Sequence, residues 1–66
     1  MTQAEYEALV PGSKVIWEKE IRGTVLDWTE GVNEYLPPMP RIVYENSSDR
    51  YHLSLQDALH FVEVEL

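Results

Sequence analysis

The chain contains no cysteine, so neither disulfides nor thiolate metal sites can support its fold or its chemistry. Positive charge is also scarce. Five Lys and Arg stand against twelve Asp and Glu, giving a formal net charge of −7 and a pI near 4.5. That balance repels phosphate backbones and anionic membranes at long range, which disfavours nucleic acid as a partner. No apolar run approaches the roughly 20 residues that a membrane-spanning helix needs. The opening MTQAEYEALV lacks the basic and apolar regions of a secretion signal. The three glycines form no phosphate-cradling loop, and no nucleophile-elbow, HExxH or EF-hand pattern occurs. His52 and His60 fall on different predicted elements, and solvated imidazoles explain them better than a metal does. These absences predict a cytoplasmic, non-enzymatic protein with no cofactor.

What is present fits one domain. Sixty-six residues make a single core, and ordering them costs on the order of 100 kcal/mol at about 1.5 kcal/mol each. Burial must offset that cost. The two Trp, four Tyr and one Phe are its richest source, at about 150–250 Å² apiece.

Thr2 and Glu5 have capping-box spacing, and Tyr6, Leu9 and Val10 follow at i, i+3, i+4, which predicts a short helix over residues 1–10. Pro11-Gly12 ends it. The central signal is the stretch from Pro11 to Trp28, whose alternation predicts two strands, Lys14–Glu18 and Ile21–Trp28, joined at Lys19-Glu20. Gly23 inside the second strand signals a bulge, a bend or a close approach. Thr29 to Pro40 is irregular, with turn residues first and a stiff Leu36-Pro37-Pro38-Met39-Pro40 run after them. Arg41–Glu45 and Arg50–Leu53 read as a second hairpin about Asn46–Asp49. Ser54–Leu59 reads as one helical or 3-10 turn capped by Ser54, and His60–Leu66 as the last strand. The expected core is Val15, Trp17, Val25, Ile42, Tyr44, Leu53, Leu59, Val62 and Val64. A one-residue slip in the third strand would put Val43 inside in place of Ile42 and Tyr44.

Four segments carry a resemblance: Pro11-Gly12-Ser13-Lys14-Val15, Arg22-Gly23-Thr24-Val25, Leu53-Ser54-Leu55-Gln56-Asp57 and Phe61-Val62-Glu63. In that order, with a long loop after the second strand, the chain resembles the small SH3-like barrels over Pro11 to Glu63. The resemblance implies an all-β, five-stranded, partly open barrel over residues 11–66, with the N-terminal helix as an addition. Signalling members of that superfamily hold proline-rich ligands, but their Ala-Leu-Tyr-Asp-Tyr opening and paired Trp are missing here. Translation-type members bind RNA or ribosomal protein and are usually basic, which this chain is not. No site residue transfers by resemblance.

The functional reading therefore rests on the irregular stretch. With Val25 inside, alternation sends Trp28 outward, next to a loop holding Tyr35, Leu36, Pro37, Pro38 and Met39. Pre-stiffened loops lose less entropy on binding, and Trp, Tyr and Met favour interfaces. The expectation is a non-catalytic module that binds a protein, basic by charge complementarity, through these six residues. The alternative is an RNA- or ribosome-associated barrel of SH3-like or KOW-like type. A further arrangement places Trp17, Trp28, Tyr44 and Tyr51 around a methylated amine, against which stands their use as core.

Overall fold

The computed structural model describes residues 1–65. Its first element, α1 (Gln3–Glu7), forms as the capping box requires. The Glu5 amide donates to Thr2 Oγ1 at 3.1 Å, and the Thr2 amide donates to the Glu5 carboxylate at 2.8 Å. Val10 to Ser13 then make a tight turn. The Ser13 amide donates to the Val10 carbonyl at 2.9 Å, and Gly12 takes φ 93°. Proline second and a positive-φ glycine third is what a type II turn asks for.

Five strands follow: β1 (Lys14–Trp17), β2 (Ile21–Trp28), β3 (Pro40–Tyr44), β4 (Arg50–His52) and, after helix α2 (Leu55–Phe61), β5 (Val62–Val64). They form one antiparallel sheet in the order β4-β3-β2-β1-β5. Among the described residues no ladder joins β4 to β5, so the sheet stays open and the expected barrel is not closed. Both edge strands have three residues. The two helices cover the inner face instead. Tyr6, Leu9, Val15, Val25, Ile42, Leu53, Ala58 and Val62 are buried together between helices and sheet.

Ile42 is fully buried and Val43 is not, so the third strand has the expected register. The end of the chain departs from expectation. Ser54 caps as predicted, accepting from the Asp57 amide at 3.2 Å, but α2 runs on to Phe61 and β5 begins only at Val62. Leu55, Ala58 and Val62 recur at helical spacing toward the core, and that period overrides the alternation read over His60–Leu66. Helical phase also turns Leu59 outward, 44% exposed, so the expected core leucine is replaced by Ala58. Leu66 lies outside the described residues. The Met1 amino group donates to the Ala58 and Val62 carbonyls, tying the start of the chain to the end of α2.

Candidate interaction surfaces

The second strand does not alternate along its whole length. Val25 pairs with Ile42, yet Asp27 pairs with Arg41 and Trp28 with Pro40, leaving Leu26 as an extra residue. This β-bulge shifts the phase by one. Asp27 and Arg41 therefore share the outer face, and Trp28 turns inward beside buried Pro40. The outward direction expected of Trp28 is thus corrected. Its ring meets Tyr6 edge-on at 5.3 Å, and its indole N–H donates to the Leu9 carbonyl at 2.6 Å. The same Tyr6 donates its hydroxyl to the Leu53 carbonyl at 2.8 Å, and burial pushes that hydroxyl's pKa up. Trp28 is an anchor between α1 and the sheet.

From that anchor the stretch from Thr29 to Met39 projects as a pinned arm. At its base the Thr29 amide donates to the Met39 carbonyl at 2.8 Å, and the Met39 amide donates to Thr29 Oγ1 at 3.0 Å. Midway, Gly31 lies so close to Pro38 that a Cβ at Gly31 would stand 2.7 Å from the proline ring. At the tip the Val32 amide donates to the Leu36 carbonyl at 2.9 Å, and Asn33 Oδ1 accepts from the amides of Tyr35 and Leu36. Asn33 mimics a backbone turn here, as its side chain allows.

Those bonds leave the apolar side chains of the tip in water. Tyr35 is 83% exposed, Val32 76% and Leu36 53%. Pro37 and Pro38 are exposed as well, and Met39 is half-buried at the base. The six predicted residues thus divide, with Trp28 as root, Met39 at the base and the other four along the arm. Val32 was not foreseen. An isolated β-branched residue between Gly31 and Asn33 was its only signal.

A second surface lies at the far end of β2 and β3. A cleft of about 280 Å³ is lined by Trp17, Ile21, Tyr44, Asn46, Tyr51 and Asp57, with Leu53 and His52 completing it. Three of the four aromatics considered together thus converge, while Trp28 does not. Trp17 and Tyr44 lie 6.3 Å apart at 73°, and Tyr44 and Tyr51 6.0 Å apart at 51°. Gly23 makes this possible by close approach, since its missing side chain gives room to the Tyr44 ring. The bulge itself is at Leu26. Burial, then the charge of Asp57, push the Tyr44 hydroxyl's pKa up.

On the outer face Arg41 grips Asp27 with two bonds, Nε to Oδ1 at 2.6 Å and the second guanidinium nitrogen to Oδ2. The bond from Arg41 holds the Asp27 carboxyl below its ordinary range. Arg22 sits 3.4 Å from Glu65. No group of three or more His, Cys, Asp or Glu side chains is gathered among the described residues. No helix among them is long and apolar enough to cross a membrane. Compared with protein-family models, curated proteins and solved structures, the chain matches none.

Proposed function

We propose that the protein is a small non-catalytic interaction module whose arm seats against another protein. One observation carries the reading: the arm is pinned at base, middle and tip, yet Val32, Tyr35 and Leu36 stay in water. A floppy loop could fold such side chains down onto the sheet. This arm is held away from it, so its apolar tip is pre-organised and loses little entropy on docking. The net charge of −7 favours a basic partner by steering encounter. The fold belongs to this proposal too. Five strands, a long excursion after the second and a helix before the last support an open relative of the SH3-like barrels.

The test compares capture by wild type with capture by Tyr35→Ser/Leu36→Ser, after nuclease treatment. The reading expects a discrete basic protein on the wild type and none on the variant, with both melting within a few degrees of each other. Bands that vanish with nuclease on both would overturn it in favour of the RNA- or ribosome-associated alternative.

A further inference from the structure

The aromatic cleft lies at the opposite end of β3 from the arm, since the strand starts at Pro40 and ends at Tyr44. That separation is about 13 Å at strand rise, and no residue of the arm lines the cleft. The cleft leaves Tyr51 47% exposed and Tyr44 half-buried, on the core side of the sheet. At about 280 Å³ it sits just under the roughly 300–1,000 Å³ of small-molecule sites, room for a head group rather than a whole cofactor. Aromatic faces carry negative quadrupole density and attract cations within about 6 Å. The carboxylate of Asp57 on α2 adds a full negative charge to the same cleft.

We propose that the cleft between Trp17, Tyr44, Tyr51 and Asp57 binds a methylated ammonium group. The choice among cations follows from the lining. A bare ammonium is strongly hydrated and brings three donors that want acceptors. Apart from Asp57, Asn46 and His52, the lining residues are the aromatics Trp17, Tyr44 and Tyr51 and the aliphatics Ile21 and Leu53. A guanidinium is flat and stacks best on parallel rings, whereas these meet at 73° and 51°. A fully methylated, quaternary ammonium is rounded, weakly hydrated and, having no N–H, needs no acceptor. The group can come from a methylated lysine of a protein or from a small quaternary amine such as choline; both offer the same chemistry.

Heteronuclear NMR of the whole chain tests this. The probes are tetramethylammonium chloride, choline, a trimethyllysine peptide and the same peptide with unmodified lysine, with sodium chloride at matched ionic strength as control. Saturable shifts are expected at the Trp17 indole and the Tyr44 and Tyr51 amides with the methylated probes only. Tyr51→Ala removes an exposed ring and leaves the fold intact; it should weaken binding by about threefold to thirtyfold, the range of one cation–π contact. Asp57→Asn, which keeps the shape, should weaken it in the same direction. Saturable binding of the trimethyllysine peptide alone would assign the group to a protein, and of choline as well to small amines; either supports the site. Shifts no larger than those from sodium chloride would overturn it. So would equal binding of the two peptides, or affinity untouched by both variants.

Discussion

Gly23→Ala isolates the packing that shapes the cleft. Gly23 pairs with Tyr44 across the ladder. A Cβ built on it would stand 2.7 Å from Tyr44 Cδ1, 2.9 Å from Tyr44 Cε1 and 2.8 Å from Ile42 Cγ2. All three are closer than a methyl carbon can sit, and Ile42 is fully buried and has nowhere to go. Overpacking of this kind costs about 1–3 kcal/mol, and three simultaneous contacts put it near the upper end. Removing glycine from a strand returns about 0.5–1 kcal/mol. The net loss expected is about 1.5–2 kcal/mol, a fall in Tm of roughly 6–16 °C for a domain of this size. Thermal melts followed by circular dichroism measure it. In a Tyr44→Ala background two of the three contacts are gone, so the alanine should cost about 1 kcal/mol less there, a coupling of ordinary size for touching residues. If Gly23→Ala raises Tm, or costs the same with and without the Tyr44 ring, the close-approach reasoning is wrong.

Other residues are expected to answer differently. Trp28→Ala should cost about 2–4 kcal/mol, because it empties a half-buried site and frees the Leu9 carbonyl. Tyr35→Ala, by contrast, should stay within about 0.5 kcal/mol of wild type, as exposed positions do; denaturant titrations of the two compare root with tip. Tyr6→Phe loses only the 2.8 Å bond to Leu53 and should cost about 0.5–1.5 kcal/mol by the same assay. Glu18 and Lys19 hold φ 48° and 64° in the turn before β2, so Lys19→Gly should gain up to about 1 kcal/mol. Asp27 and Glu5 are held below their ordinary values, Asp27 by the bond from Arg41 and Glu5 first by the bond from the Thr2 backbone. Because their folded values are depressed, their support is complete above the ordinary carboxylate range and fades as pH falls through the folded values. The Tm gap between wild type and Asp27→Asn should therefore shrink on acidification, read by melts at successive pH.

The sequence announces the local devices of this fold and conceals the tertiary ones. Thr2 and Glu5, Pro11 and Gly12, and Ser54 each act through neighbours within a few residues, so their spacing alone reveals the caps and the turn. Alternation places Val15, Val25, Ile42 and Val62 inside because burial of one sheet face demands it. The bulge at Leu26 has no such mark. Nothing distinguishes it from its apolar neighbours, and yet it decides that Trp28 roots α1 instead of facing a partner. The turn at Glu18-Lys19 carries none of the usual glycine or asparagine, so its positive φ values were equally hidden. The open edges at β4 and β5 are a tertiary outcome with no local mark, and α2 takes residues that alternation assigns to the last strand. The arm was visible as prolines and aromatics, although its rigidity comes from Asn33, Thr29 and the Gly31–Pro38 contact. The cleft brings together Trp17, Tyr44, Tyr51 and Asp57 from four elements, a convergence that only the topology supplies.

The arm is tested most directly by a photo-crosslinking side chain placed at Tyr35, with Glu63 on the β5 edge as the control position. Irradiation in nuclease-treated extract should join one discrete basic protein to position 35 and not to position 63. Equal labelling at both positions, or none at position 35, would contradict an arm built to dock a protein.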